Sequence, residues 1–343
     1  MNLVKRHRIL TDWPAMFAQA KIIDSHAGFS GAIVERIEVA GQHFALRGWP
    51  KESLPAARLL GLHQFQRFLF ERGFTQVSVP VPTLDGRSVI QYEKRFWQIE
   101  PWMPGKADFL THPSDERLKA VMQLLARLHV ASAQFIPSHE SALWFSVSPS
   151  SPSPAIIERR QILERWSGTN PETLSQSIQQ KPISANIKDR LREILRLYLS
   201  RAASIHSELR EMAAHQFSLQ PCLRDLWSEH VLWTGHQVTG LIDFGACRIE
   251  NPMIDLSRLL GSYFVDDSES YQKSIDWYAE IRSVSTSERK LFSVLDRSQR
   301  LLAGMTWIDR LVLTSQPRND WIAIENRLDE ILPRMRAVQG PLM

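Results

Sequence analysis

Two carboxylates and an imidazole, from Asp225, Asp243 and His230, stand in one short segment of the sequence. Metal-assisted chemistry needs such a set, because some of these groups bind a cation while another carboxylate orients or deprotonates a nucleophile. The chemistry depends on whether the local fold brings the three side chains together.

The segment that carries them is predicted to form a β-hairpin. Two apolar-rich runs, 231–234 and 237–242, flank a two-residue turn that begins with glycine. If the runs pair directly across this turn, His230 lies opposite Leu241. Asp243 then faces the same side as a diagonal neighbour of the histidine, at roughly 7–8 Å. Asp225 lies in the loop just before the hairpin.

The same segment resembles the catalytic part of a known enzyme family. Arg224-Asp225, followed after four residues by His230, is similar to the kinase catalytic loop H-R-D-x-x-x-x-N, and residues 242–245 (IDFG) resemble the D-F-G element. Residues 251–256 (NPMIDL) resemble the D-P-x-x-D-L segment of the aminoglycoside phosphotransferase/choline kinase family. An IDFG run alone also suits an ordinary strand end, but all three matches at family spacing favour the family. The resemblance implies an α+β, protein kinase-like bilobal fold, with a small N-terminal antiparallel sheet lobe and a larger, mostly helical C-terminal lobe.

The resemblance also implies roles for the matched residues. Asp225 would be the catalytic base or orient the nucleophile, Asp243 would be catalytic and a metal ligand, and Asp255 would support the catalytic loop from inside. His230 replaces the family's metal-binding asparagine and is the second candidate metal ligand. The implied cofactors are ATP and Mg²⁺. Because imidazole suits softer ions, the sequence favours a shift towards Mn²⁺; as a cation, His230 can alternatively contact phosphate.

Candidate nucleotide-binding residues lie nearer the N-terminus. Residues 28–32 (GFSGA) resemble the Ser/Gly loop that covers the ATP phosphates in this family, where small residues let backbone N–H groups approach the anion. Without the family context, the same residues also suit a simple turn. Arg47 stands where the family has a lysine, and it keeps the positive charge needed to bind phosphate. Residues 97–105 (WQIEPWMPG) resemble the hinge at which backbone groups hold adenine. The residues expected to bind the nucleotide are Gly28, Ser30, Gly31, Arg47, Glu100 and Trp102.

The elements that must position these residues fall into a strand-rich part and a helical part. Alternation predicts strands at 32–39 and 42–49, followed by a helix over 53–73 and strands at 77–82 and 95–101. The rest of the chain is mostly helical in pattern. The predicted domains are an N-terminal extension (1–22), a nucleotide-binding sheet lobe (23–103) and a lobe with the catalytic loop and substrate-binding helices (104–343).

Two local features depart from the expected pattern. Residues 53–70 contain no glutamate to pair with Arg47, and His63 lies near the position where the family has that glutamate. The stretch 146–154 (SVSPSSPSP) predicts an exposed linker or loop, because serine and proline favour extended chain.

Composition and net charge argue against a nucleic-acid-binding, membrane-spanning or secreted protein. With 41 basic and 37 acidic residues among 343, the formal charge of +4 is too mild to indicate nucleic-acid binding. The sequence has no apolar run long enough for a membrane span and no signal core, which predicts a cytoplasmic protein. Cys222 and Cys247 are expected to be reduced thiols. The oligomeric state is left open.

The function favoured by the sequence is ATP-dependent transfer of the γ-phosphoryl group to a hydroxyl of a small molecule. Only residues 246–250 separate the D-F-G match from the next motif, which leaves no room for a protein-kinase activation segment. The alternatives are a nucleotide-binding pseudokinase, suggested by Arg47 and His230, and an interaction protein that uses the Ser/Pro stretch. Candidate acceptor-binding residues of the C-terminal helices are Glu280, Asp296, Arg300, Trp307, Asp309 and Arg310.

Overall fold

The computed structural model describes residues 3–27, 31–314 and 320–338. Its contacts divide the chain into two compact units. The first unit comprises residues 1–147 and 228–248, and the second comprises residues 148–227 and 249–343. This division does not test the domain boundaries given above, which stay a prediction.

The first unit contains a five-stranded antiparallel sheet in the order β1-β2-β3-β5-β4. Its strands are β1 (Lys21–Ala27), β2 (Ile33–Val39), β3 (Gln42–Gly48), β4 (Ile90–Tyr92) and β5 (Arg95–Pro101). The predicted strands at 32–39, 42–49 and 95–101 are confirmed.

Five further strands follow along the chain: β6 (Ser148–Ser151), β7 (Phe217–Cys222), β8 (Val231–Thr234), β9 (Gln237–Leu241) and β10 (Arg248–Glu250). Strands β8 and β9 form a hairpin in the first unit, and β10-β7-β6 form a separate sheet.

Helices dominate the C-terminal part of the sequence. Those of the first unit are α1 (Leu3–Leu10), α2 (Ala56–Glu71), α3 (Asp115–Ser132) and the single turn α4 (Ala142–Phe145). Those of the second unit are α5 (Pro154–Ser167), α6 (Pro171–Gln180), α7 (Ala185–Met212), α8 (Met253–Tyr263), α9 (Ser268–Ala279), α10 (Thr286–Ile308) and α11 (Trp321–Arg336). The fold is thus α+β, with the antiparallel sheet in the N-terminal part, as predicted. No helix among the described residues is long and apolar enough to cross a bilayer.

Side-chain alternation gives the five-stranded sheet two different faces. On one face Leu46 and Ile99, both fully buried, pack in a cluster with the N-terminal residues Ile9, Trp13 and Phe17. Because successive side chains of a strand point to opposite faces, the neighbours of Leu46 and Ile99 on β3 and β5 lie on the other face. That second face carries the candidate site.

Two predictions of local structure are wrong. Residues 77–82 form no strand beyond an isolated bridge at Val77, because Pro80 and Pro82 have no N–H to donate to a ladder. The Ser/Pro stretch is no linker either: β6 pairs with β7, and Ser153 caps α5. The buried Ser153 hydroxyl donates to Glu250. Specific hydrogen bonds of this kind let a polar stretch form regular structure instead of a loop.

Gly105 supports the close approach of the chain after β5 to the hairpin, and its replacement tests that contact. Its φ is +104°, and an added Cβ would lie 2.4 Å from Thr239 Oγ1 and 2.7 Å from the Trp233 carbonyl oxygen. We expect Gly105→Ala to lower the free energy of unfolding by about 3 kcal/mol, from backbone strain and overpacking together.

The control is Gly235→Ala, whose φ is +59° and whose added Cβ meets nothing within 4 Å. Backbone strain alone should cost about 1 kcal/mol there. Urea unfolding of both variants measures the difference, and equal losses would show that the Thr239 contact is unimportant.

Candidate functional site

The β8–β9 hairpin has the predicted turn but a different register at its open end. Thr234 pairs with Gln237, and the register then shifts so that Val231, not His230, lies opposite Leu241. Thr239 is the extra residue of this β-bulge, and its hydroxyl donates to the Pro104 carbonyl at 2.8 Å. That contact accounts for the shift, which no turn rule predicts.

The bulge still brings His230 and Asp243 together. The Ile242 N–H donates to the His230 carbonyl at 3.0 Å, and His230 Nε2 lies 4.0 Å from Asp243 Oδ2. Asp243 has a φ of 61°, a left-handed conformation that is uncommon for a residue other than glycine. His230 and Asp243 thus lie close together, as the sequence predicts, but through a bulged hairpin and not through the direct pairing that was expected.

Arg47 and Asp243 form the central ion pair of the site. Arg47 Nη2 donates to Asp243 Oδ1 at 2.6 Å, and the guanidinium stacks over the Trp49 ring at 4.6 Å. Burial disfavours the ionised carboxylate, but the charges of Arg47 and His230 outweigh it, so the pKa of Asp243 is lowered. Asp243 is therefore ionised and held in one orientation at the end of β9.

Glu100 lies on the same sheet face as Arg47, because Ala45 pairs with Glu100 and Arg47 pairs with Gln98. Its carboxylate accepts hydrogen bonds from Ser78 Oγ at 3.0 Å and Gln98 Nε2 at 3.3 Å. Burial raises the pKa of Glu100, and the charge of Arg47 is the largest influence opposing that rise. An acidic side chain on β5 thus stands near Arg47, while no glutamate on α2 does so.

His63, the residue near the expected position of that glutamate, has a different role. Its ring bonds Gln98 Oε1 through Nε2 at 2.9 Å and Ser88 Oγ through Nδ1 at 2.7 Å. Gln98 Oε1 can only accept, and it also accepts the Trp49 indole N–H, so Nε2 carries the proton and Nδ1 accepts from Ser88. His63 is a neutral structural residue that fixes Gln98, and Gln98 in turn donates to Glu100.

A cavity of about 290 Å³ opens on this face of the sheet. Val34 and Ala45 line it from the sheet, and Leu232 and Ile242 line it from the hairpin. The ionisable side chains at its lining include Arg47, Glu100, Lys106, His230 and Asp243. Apolar walls with a charged end suit a flat ring system that carries an anionic group.

The predicted nucleotide-binding residues do not all enter this cavity. Gly28 and Ser30 lie outside the described residues, and Gly31 is exposed with a φ of +78°. Trp102 lines the cavity, with Arg36 stacked on its ring at 5.0 Å, but its backbone N–H already donates to the His43 carbonyl at 3.0 Å.

The candidate catalytic loop belongs to the second unit and is held by Asp255. This fully buried carboxylate accepts the backbone N–H of Leu223 at 2.8 Å and that of Arg224 at 2.6 Å. Arg224 has a φ of 65°, and its side chain pairs with Glu158 at 2.7 Å. The internal support predicted for Asp255 is confirmed.

Asp225 follows directly and is fixed by two donors. Trp227 Nε1 donates to its Oδ1 at 2.7 Å, and Arg258 Nη2 forms an ion pair with the same oxygen. The carboxylate is partly exposed, with 43% of its side-chain surface accessible, so solutes can reach it. Sequence reasoning missed Arg258, although its position three residues after Asp255 on a helix was the available signal.

Comparison with known proteins supports a single family. The model of the phosphotransferase enzyme family matches residues 24–283. The comparison with curated proteins found no relative with significant similarity.

Solved structures share the fold at low sequence identity. An aminoglycoside phosphotransferase from Alicyclobacillus acidocaldarius is 16% identical, with 96% of this chain and 93% of that chain covered and a TM-score of 0.62. An amicoumacin kinase in complex with AMP-PNP, Ca²⁺ and Ami is 13% identical, with 98% and 94% covered and a TM-score of 0.62. A microcompartment-associated aminopropanol kinase is 13% identical, with 97% and 95% covered and a TM-score of 0.65. These likenesses confirm the kinase-like fold class.

The buried imidazole of His63 makes a specific pH dependence testable. Burial, with the charges of Arg47 and Arg67, lowers the pKa of His63 to about 4. Between about pH 6.5 and pH 4 the unfolded chain binds a proton at this residue that the folded chain does not, so stability falls as the pH falls. The loss should reach about 3 kcal/mol below pH 4.

His63→Gln should remove this component and flatten the stability profile between pH 6.5 and pH 4. Urea midpoints at several pH values measure it, with His236→Gln, an exposed histidine, as the control. A profile equally steep in His63→Gln would assign the dependence to other groups.

Proposed function

Because this chain belongs to the phosphotransferase enzyme family, we propose that it transfers the γ-phosphoryl group of ATP to a hydroxyl of a small molecule with the help of a divalent metal. The observation that carries this proposal is the cavity of the first unit, whose apolar walls end at Arg47, His230 and Asp243. A phosphotransferase acting on small molecules agrees with the amicoumacin kinase and the aminopropanol kinase that share the fold.

The adenine ring is proposed to lie between the apolar walls formed by β2, β3 and the hairpin. Among the described residues the Met103 N–H has no hydrogen-bond partner, whereas the Trp102 N–H is engaged by His43. Met103, which also lines the cavity, is therefore a better donor to the base than Trp102. Arg47 is proposed to bind phosphate oxygens. The loop containing Gly28, Ser30 and Gly31 is proposed to cover the ATP phosphates.

Asp243 and His230 are proposed to hold the divalent metal. Ligand bonds to oxygen and nitrogen are roughly 2.0–2.2 Å long, so two ligand atoms 4.0 Å apart fit a single ion. The bound metal would offset negative charge on the transferred phosphoryl group. The protein's own part is to keep Asp243 ionised and to orient its Oδ2 towards His230, which the Arg47 ion pair on Oδ1 does.

Asp225 is proposed to orient the acceptor hydroxyl and to accept its proton. The bonds from Trp227 and Arg258 both hold Oδ1 of this carboxylate, which limits the positions from which an acceptor hydroxyl can reach it.

A nucleotide-binding pseudokinase is the second candidate. Both candidate acids are already paired with arginine side chains, Asp225 with Arg258 and Asp243 with Arg47. Each ion pair occupies a carboxylate oxygen that an acceptor hydroxyl or a metal would otherwise contact, so these pairs disfavour turnover.

Nucleotide binding and slow ATP hydrolysis distinguish the two candidates. We expect the wild-type protein to bind ATP with metal and to hydrolyse it, Asp243→Ala to lose metal-dependent binding, and Asp225→Asn to keep binding while turnover falls at least about 100-fold. Calorimetry measures binding and phosphate release measures turnover. Asp329→Asn, which removes an exposed carboxylate paired with Arg190, is the matched control.

Each other outcome has a definite meaning. Binding without hydrolysis or transfer under any metal, with a broad acceptor set present, favours the pseudokinase. Absence of nucleotide binding contradicts both candidates.

The imidazole ligand predicts a metal preference. We expect activity with Mn²⁺ to exceed activity with Mg²⁺, and His230→Asn to shift the preference towards Mg²⁺, because an amide oxygen suits the harder ion. The ratio of rates with the two metals is the measurement. A ratio unchanged by His230→Asn would remove the histidine from the metal site.

A further inference from the structure

The indole ring of Trp227, next to the candidate base, lies among three arginine side chains of the second unit. The guanidinium carbons of Arg258, Arg327 and Arg334 are 4.1, 4.7 and 5.9 Å from the ring centroid. The Trp227 N–H donates to Asp225, so the three cations and the carboxylate share one neighbourhood. We call Trp227 with these three residues the arginine cluster.

The charges of the cluster are only partly balanced by the protein. Arg258 pairs with Asp225, and Arg327 pairs with Glu330 at 2.6 Å. The Glu330 side chain is half exposed. Arg334 donates to the Ser262 carbonyl at 3.0 Å, and the structure as described gives it no carboxylate at ion-pair distance. Among the described residues, Arg334 therefore has no ion-pair partner of its own beside Trp227.

Asp296, an acidic residue that lines the cavity next to this cluster, does not pair with Arg334. Asp296 is buried and pairs with Arg300 at 2.9 Å, and Arg300 also binds Tyr271 and the Val265 carbonyl. The two sequence candidates Asp296 and Arg300 thus neutralise each other within the protein. Burial lowers the pKa of Arg334, and the neighbouring charge of Arg327 lowers it further, which reflects this local excess of cations.

A small cavity of about 20 Å³ lies at the same place. Trp227, Arg258, Arg300 and Arg334 are among the residues that line it. This volume holds about one water-sized group, so it takes an oxygen atom of a ligand and not a whole molecule. The Nε atom of Arg258 is buried without a hydrogen-bond partner in the described structure. A buried cationic donor of this kind is stabilised by an anionic oxygen.

We propose that the phosphoryl acceptor is a small hydroxyl compound that also carries a carboxylate or phosphate group, and that Arg327 and Arg334 bind this anionic group beside Trp227. The proposal rests on the proposed function, since it takes Asp225 as the residue that orients the hydroxyl. Guanidinium groups bind carboxylate and phosphate oxygens through paired N–H donors. An acceptor with an ammonium group would add a fourth cation to the cluster, and the resulting repulsion disfavours amino alcohols.

Binding of matched three-carbon compounds tests the anion site without any turnover. The probes are glycerol, serinol, glycerate and glycerol 3-phosphate, which are neutral, cationic, a carboxylate and a phosphate ester. We expect glycerate, glycerol 3-phosphate or both to raise the melting temperature of the wild-type protein, whereas glycerol and serinol at equal concentration do not. The stronger of the two anions identifies the preferred group.

Arginine variants then locate the site. Arg327→Gln and Arg334→Gln should each weaken binding of the anion at least about tenfold, because each removes charge-assisted hydrogen bonds. Arg336→Gln, on the same helix but paired with Glu193, is the matched control and should bind normally. Serinol binding equal to that of the anions, or anion binding unchanged in both variants, would overturn the proposal. The comparison of the four probes on the wild-type protein needs no variant. It therefore still tests the anion site if a variant does not fold.

Phosphoryl transfer to the same probes is the second measurement. We expect the anionic acceptor to have a KM at least about tenfold below that of glycerol, and Arg334→Gln to raise this KM with little change in kcat, as for a residue that contributes uniform binding. ATP binding without any anion binding would contradict this inference alone. Anion binding without ATP binding would contradict the proposed function and leave the anion site standing.

Discussion

The ion pair between Arg47 and Asp243 is the interaction on which the candidate nucleotide pocket depends. It joins residues 196 positions apart, one on a strand of the N-terminal sheet and one at the end of the β8–β9 hairpin. The Arg47 side chain is only 13% exposed, and a buried charge without a partner is strongly destabilising. Pairing therefore holds the end of the hairpin against β3, and the cavity walls follow from that placement.

The candidate catalytic loop relies on a comparable constraint within the second unit. The Asp255 carboxylate accepts hydrogen bonds from two backbone N–H groups that would otherwise need water. The loop that it holds includes Arg224 in a left-handed conformation. Asp243 has the same uncommon conformation in the first unit. Such residues persist where surrounding contacts over-determine them, and they concentrate at functional sites. Asp225 thus directly follows a residue in this conformation, and Asp243 adopts the conformation itself.

The sequence predicted the parts of this fold that depend on local pattern. Alternation located β2, β3 and β5, and the short turn located the hairpin, because these features need only neighbouring residues. The bulge at Thr239 was not predictable, since its hydrogen bond reaches Pro104 in a distant segment. The same holds for Glu100, whose position on the Arg47 face depends on the register of β3 against β5.

Motif spacing located the candidate acids but not their environment. Asp225 and Asp243 were found because family motifs keep their order along the chain. The partners of Asp225, which are Trp227 and Arg258, come from a loop and a helix whose packing no spacing rule specifies. His63 is the opposite case: it lies near the position where the family has a functional glutamate, but its side chain fixes Gln98 by a hydrogen bond.

The discontinuous first unit has a consequence for how the chain is made. Its sheet is complete in sequence by residue 101, but the hairpin that carries Asp243 is not synthesised until the intervening part of the second unit has emerged. Domains generally fold from the N-terminus during synthesis, at about 5–20 residues per second. For several seconds on the ribosome, Arg47 therefore has no Asp243 to pair with, and the cavity face of the sheet is open. During this interval the open face is available for misassociation, and the length of the interval is set by the order of the segments along the chain.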